Sequence, residues 1–434
     1  MKVTRSGTKG FQKALRAVAQ RLAISDPAIE APVRRILAHV REQGDPAVLR
    51  YTRRFDRQTL TAEQMRMAPQ QTELAYRAAD PKVVESLRLA AQRIRGFHER
   101  QVTKGWTFTE RGATVGQRIH PLDTVGLYVP GGKAAYPSSV LMNGIPARVA
   151  GVRRTVICSP APGGEVNPYV LIAADIAGIG EVYRIGGVQA VGALAYGTAT
   201  IPRVDKIVGP GNRYVAAAKR LVFGQVDIDM VAGPSELLVI ADEAANPSYV
   251  ASDLLSQAEH DEDAVVIFVT PSERLVERVE QQMDDQLRDL PRRGIARASL
   301  RRFGFTFVVR NMDEAIEVAN EAAPEHLSLF TGEPQKWLER IVNAGAVFLG
   351  EYTPQALGDY VAGPNHVLPT GGTARFFSPL GVEDFVRRSS VISFTKEALA
   401  AVGPHVIRIA TIEGLSAHAR MVSIRIGNGT KSKD

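Results

Sequence analysis

From about residue 128 to residue 350 the chain alternates short β-branched runs with segments of helical periodicity. That rhythm constrains the fold more than any single motif. PSSVLMNGIPARVAGV reads as helix, TVICS as strand, YVLIAADIAG as helix, EVYRIG as strand and VQAVGALAYG as helix, and the series runs on to VAGPSELLVI. A second series follows: helix PSYVASDLLSQAEH, strand AVVIFVT, helix SERLVERVEQQMDDQL, strand FTFVV, helix MDEAIEVANEA and strand AVFLG. Strands separated by helices pair in parallel, because each crossover returns the chain to the same end of the sheet. The expected fold class is therefore α/β, with two doubly wound lobes.

Residues 1 to about 103 read as helical. QKALRAVAQRLA and PAIEAPVRRILAHVREQG carry apolar residues at three- and four-residue spacing, the second with Pro near its start and Gly at its end. Short alternating segments occupy 106–120, and the tail from about 380 returns to helix. With 434 residues, 45% hydrophobic and 23% charged, the chain has an ordinary globular composition, which excludes disorder, collagen-like repeats and coiled coil as its main architecture. The lone cysteine, Cys158, excludes an intrachain disulfide and a thiolate-rich metal site, and its strand context marks a core residue. Apolar runs such as AVVIFV are strand-length, and the basic N-terminus lacks the apolar stretch of a secretory signal, so no membrane association and a cytoplasmic location are expected. Lys+Arg exceed Asp+Glu by 53 to 46, but the basic residues are scattered without an aromatic platform, so nucleic acid is not an expected partner.

The Gly-rich segments carry no standard nucleotide fingerprint. GPGNRY at 209–214 opens like GxGxxG, yet Tyr214 stands where close helix–strand packing wants Gly or Ala. VPGGKAAYPSSV at 129–140 can present backbone N–H groups to an anion at a helix start. Taken alone, a tight loop accounts better for either segment. The histidines say more. Four of the eight stand close to a second donor: Gln257 with His260, Glu325 with His326, Asp359 with His366, and Glu413 with His418. Gln257 and His260, three apart on a predicted helix, share a face. A single histidine of this kind is usually a surface or core residue, but four such pairs indicate a polar functional site. Nitrogen and oxygen donors without thiolate suit a zinc-type metal with room for substrate. Adjacent Glu325 and His326 resemble acid–base machinery, able to serve one pocket only from a loop or strand end.

GLYVPGGKAAYPSSVLMN, GGVQAVGALAYGT, VGPGNRYV, DMVAGPSELLVIAD, SDLLSQAEHDEDA, APEHL, LGDYVAGPNHVLPTGGTARF and EGLSAHA together resemble the histidinol dehydrogenase family, essentially from end to end. The resemblance implies two incomplete Rossmann-like, aldehyde-dehydrogenase-like lobes with a helical N-terminal segment and a small C-terminal extension. It divides the chain into 1–25, a zinc and substrate lobe of 26–127 with 237–380, an NAD-binding lobe of 128–236, and a dimerisation extension of 381–434. It also implies oxidation of L-histidinol to L-histidine with NAD+ used twice, as the last steps of histidine biosynthesis.

Carried onto this chain, the family's zinc ligands fall on Gln257, His260, Asp359 and His418, for one Zn2+ per subunit. The last comes from the partner subunit, which implies a homodimer with shared active sites. Substrate contacts fall on Ser235, Gln257, His260, Glu325, His326, Asp359, His366, Glu413 and His418, and NAD+ contacts on Tyr128, Gln189 and Asn212. In this reading His326 is the general base in both oxidations and Glu325 activates water. The competing readings are a relative that oxidises another small alcohol, a zinc hydrolase or lyase without redox chemistry, and, more distantly, a nucleic-acid-binding protein.

Overall fold

The computed structural model describes residues 1–21, 26–131 and 136–427. The chain opens with strand β1 (Lys2–Arg5), where helix was expected, and continues through helices to His98. An antiparallel pair, β2 (Trp106–Glu110) and β3 (Ala113–Pro121), precedes the first parallel series: β4 (Thr124–Tyr128), β5 (Arg154–Cys158), β6 (Glu181–Tyr183), β7 (Lys206–Val208) and β8 (Asp227–Ile228). The second series is β9 (Glu236–Ala241), β10 (Val265–Thr270), β11 (Gly304–Val308), β12 (His326–Phe330) and β13 (Ala346–Leu349); β14 (Val386–Phe394) and two helices follow.

Two compact units result, one of residues 1–101 with 122–385 and one of 102–121 with 386–427 of the described chain. In the larger unit the first sheet runs β6–β5–β4–β7–β8 and the second β1–β11–β10–β9–β12–β13, every pairing parallel. Each series taken in chain order therefore reads 3-2-1-4-5, five strands of a Rossmann-like arrangement, and β1 extends the second sheet at its edge. The lobes are built as the sequence rhythm implies. The central strands are buried along their whole length, as a parallel sheet covered on both faces requires. Asparagine side chains cap the crossover helices that begin at Pro168 and Pro247, so these start where Asn-Pro places them. Cys158 is fully buried in the core of the first sheet, where apolar surroundings push its thiol far above the ordinary range.

Two groupings differ from the sequence reading. The helices between Pro27 and His98, grouped there with 237–380, share their buried side chains with the first sheet: Val33, Leu37, Val40 and Val48 pack with Val156, Ala190 and Ile207, and Leu87, Ala91 and Ile94 with Val125 and Leu141. An amphipathic face records that a helix packs, but not on which sheet. The tail after 385 first forms β14, a nine-residue strand antiparallel to β3, before it turns helical. In the smaller unit Arg111 and Gly112, both at positive φ, close the β2–β3 hairpin. Among the described residues no helix is long and apolar enough to cross a membrane.

Candidate active site

In the first sheet the strand order reverses between β4 and β7, the switch point at whose carboxyl ends open α/β sheets bind their ligands. Tyr128 closes β4 and is buried; its hydroxyl accepts the Gly187 N–H at 3.0 Å, and burial pushes its pKa up to about 12. The turn after β7 is fixed by packing. At Gly209, φ is +108° and a Cβ would lie 2.1 Å from the Tyr128 carbonyl oxygen, so only glycine fits. Lys219 donates to the Gly209 carbonyl and Asp229 accepts its N–H, which pins both sides of that residue. Asn212 caps the helix Arg213–Val222 through Oδ1, leaving its amide nitrogen outside those two bonds. Gln189 is fully buried, and neither of its amide atoms has a partner among the described residues. Residues 132–135 of the other Gly-rich segment lie outside the described residues.

The second sheet presents its polar groups at the amino ends of its strands. His326 is the first residue of β12 and Glu325 immediately precedes it, so the pair does occupy a strand end. Both are buried, at 4% and 6% exposure, which decides that any charge here is poorly solvated. Glu325 Oε2 accepts the Glu236 N–H at 2.7 Å, and burial pushes its carboxyl up to about 7. His326 Nδ1 lies 2.9 Å from the Glu236 carbonyl oxygen. A carbonyl only accepts, so Nδ1 carries the hydrogen and, in the neutral ring, Nε2 holds the lone pair. Burial alone would lower the His326 pKa, but Glu325 and Asp359 outweigh it and raise the pKa to about 9.

Asp359, on the short helix Gln355–Tyr360, places Oδ1 3.8 Å from His326 Nε2. Burial would raise its carboxyl, but the His326 ring more than cancels that and holds it below the usual range. His366 Nδ1 donates to the Asp359 carbonyl at 2.9 Å, its Nε2 lies 3.3 Å from Ser139 Oγ, and burial lowers its pKa. Gln257 is fully buried near the end of the helix Pro247–Ala258, its Nε2 without a partner among the described residues. His260 follows on the turn, its N–H bonded to the Gln257 carbonyl at 3.2 Å, so helical spacing persists just past the helix end. Lost solvation lowers the His260 pKa against the pull of Asp359. Ser235 immediately precedes β9, and its carbonyl accepts the Val265 N–H. Glu413 and His418 belong to the smaller unit, at the end of the helix Lys396–Ile412 and in Ser416–Arg425, and both are exposed. Among the described residues no three His, Cys, Asp or Glu side chains converge as a metal cluster.

Two residues not singled out from the sequence touch the Glu325–His326 pair, and a third braces one of them. Gln355, buried, donates to Gln257 Oε1 at 3.1 Å, and its Nε2 lies 3.5 Å from His326 Nε2. Glu236 bonds to Glu325 and His326 as given above, and Arg21 pairs with Glu236. Glu236 carried a signal, an acidic residue opening an otherwise apolar strand.

Two Rossmann-like lobes with a buried carboxylate–imidazole pair are an arrangement that an α/β enzyme of the dehydrogenase class can use. The family model described as histidinol dehydrogenase matches residues 19–426. A histidinol dehydrogenase of Syntrophotalea carbinolica is 54% identical over 96% of this chain and 97% of its own length. That of Aquifex aeolicus is 53% identical over 95% and 96%. The crystal structure of histidinol dehydrogenase from Elizabethkingia anophelis superposes with a TM-score of 0.93 at 36% identity, covering 98% of both chains. The chain belongs to the histidinol dehydrogenase family, and it is an oxidoreductase.

Proposed function

We propose that this enzyme oxidises L-histidinol to L-histidine through bound L-histidinal, with two NAD+ reduced and one zinc ion per subunit. Family membership supports histidinol oxidation in histidine biosynthesis, and the buried Glu325–His326 pair is the observation that carries the mechanism. Gln257, His260 and Asp359 fit a zinc site: an amide with an orphaned nitrogen, a histidine biased to its neutral form and a carboxylate biased to its anion. His418 of a second copy would complete the set. Zinc bound there would supply a fixed point for the substrate's amino and imidazole nitrogens. Tyr128, Gln189 and Asn212 would hold NAD+, the hydride acceptor in both halves; the unpartnered Gln189 amide supports this.

His326 takes the hydroxyl proton at Nε2, the atom that the Glu236 carbonyl leaves unprotonated. Glu325 and Asp359 together favour the imidazolium, and a cation held by Asp359 would offset part of that pull toward the neutral form a base requires. Glu325, with its carboxyl pushed up to about 7, takes a proton from the water that adds to the aldehyde carbon, while His326 returns the proton it holds to the aldehyde oxygen, giving a gem-diol. His326 then accepts a second hydroxyl proton as the carboxylate forms. Overall one water is consumed, two hydrides and three protons leave, and no thiol is needed. Ser235, His366 and Glu413 would position the substrate.

A homodimer with shared sites is supported by the smaller unit, whose Ile392, Ile409, Ile412 and Ile424 stand exposed. The test is the NADH formed per L-histidinol consumed, before and after chelation. Two NADH per substrate, lost on chelation and restored by zinc, is the expected result. No NADH from metal-loaded protein would overturn the substrate, and turnover indifferent to chelation would overturn the metal.

A further inference from the structure

Beneath Glu325 and His326 lies a buried ion pair between residues far apart in sequence. Arg21, which follows the first helix of the chain, reaches Glu236 with two nitrogens, Nε to Oε1 at 2.5 Å and Nη2 to Oε2. The two side chains are 9% and 1% exposed, so the pair is desolvated and each charge depends on the other. Neither residue belongs to the proposed metal, substrate or cofactor contacts.

The pair also holds the backbone that carries the catalytic side chains. Arg21 Nη1 donates to the Ala322 carbonyl at 2.8 Å and to that of Val18. Ala322 precedes Ala323, a non-glycine residue at φ +44°, and this left-handed turn delivers the chain to Glu325. Glu236 Oε2 accepts the Glu325 N–H at 3.4 Å, and Oε1 accepts the Gly371 N–H at 2.8 Å. The Glu236 backbone supplies the remaining bonds, its N–H to the Glu325 carboxylate and its carbonyl to His326 Nδ1.

We infer that Arg21 and Glu236 are positioning residues that set the directions of the Glu325 carboxylate and the His326 ring; this rests on the functional reading above. The guanidinium is planar and bidentate, so it fixes the Glu236 carboxylate in orientation as well as in charge. Its third nitrogen grips the strained turn from the other side. Loosening either partner lets Glu325 and His326 drift while the other proposed zinc, substrate and NAD+ contacts stay in place.

The test uses the full-length zinc-loaded enzyme with Arg21→Lys, Arg21→Met and Glu236→Gln, each alone and with Glu325→Gln. Glu236→Gln is expected to lower kcat by about 100-fold, the scale of a misplaced reacting group, with KM for both substrates nearly unchanged. In the Glu325→Gln background the same change should cost clearly less than it does alone, because one of the two groups it positions is already lost and only the share carried by His326 remains. Additive losses, or KM rising in step with a falling kcat, would overturn the inference. Arg21→Lys keeps the charge and covers the case in which the other variants fail to fold. Its crystal structure should show the Glu325 carboxylate released from the Glu236 N–H, and an unmoved Glu325 would count against the pair. That structure judges the pair even if the wild type forms no NADH from histidinol, which would defeat the functional reading alone.

Discussion

In the first sheet the proposed cofactor residues stand at or beyond the carboxyl ends of the strands: Tyr128 closes β4 and Asn212 follows β7. In the second sheet, built in the same strand order, Glu325 and His326 stand at the amino end of β12 beside Glu236 at the amino end of β9. Helix starts and backbone N–H groups gather at carboxyl ends, which suits phosphates. The amino ends of the second sheet lack that arrangement, and charged side chains occupy them instead. In the proposed reading one architecture thus supplies a binding edge in one lobe and a catalytic edge in the other, and strand order alone does not reveal which edge works.

Changes at the two edges should therefore have different consequences. His326→Ala is expected to lower both oxidations by about 1,000-fold while metal content is retained, measured as single-turnover rates from histidinol and from histidinal beside a zinc assay. Gly209→Ala places a Cβ 2.1 Å from a backbone oxygen and should cost about 3 kcal/mol of stability with KM for NAD+ raised. Gly332, past the carboxyl end of β12, has open space around it, so Gly332→Ala should stay within about 0.5 kcal/mol. An equal penalty at the two glycines would break the comparison. Mixing His418→Ala with His326→Ala should restore about one quarter of wild-type activity through hybrid dimers, since one site in such a dimer is intact. No recovery after verified subunit exchange would place His418 outside a shared site.

A pH-dependent effect concerns Asp253, one helical turn before Gln257. Burial raises its carboxyl from 3.8 to about 6, so the folded state disfavours the anion. Its cost is absent below pH 3.8, grows as pH rises, and is complete above about 6. Asp253→Asn should therefore stabilise the protein by about 1–2 kcal/mol at pH 7 and hardly at all at pH 4, read from denaturant midpoints at the two values.

Much of this comparison was legible in the sequence, and its limits have physical causes. Alternating periodicity marked the crossover helices and most strands of both lobes, because burial on both faces of a parallel sheet writes continuous apolar runs. The four residues of β1, KVTR, carry no such run and pair only at a sheet edge. The helices from Pro27 to His98 announced their apolar faces but not their partners. At the site, the adjacency of Glu325 and His326 was visible, and so was the strand-end placement it demands. The Arg21–Glu236 pair was not, since it joins residues 215 positions apart and leaves no local pattern. Gln355 likewise looks like any glutamine until the fold brings it against Gln257 and His326.

The central claim is that His326 serves both oxidations while Glu325 serves the water-dependent one, and Glu325→Gln tests it most directly. Presented with L-histidinol and, separately, with L-histidinal, the variant should form the first NADH at a rate near wild type. It should be slow by about 100-fold or more in oxidising the aldehyde. Equal impairment of the two halves would contradict a dedicated role for Glu325 and return water activation to another group.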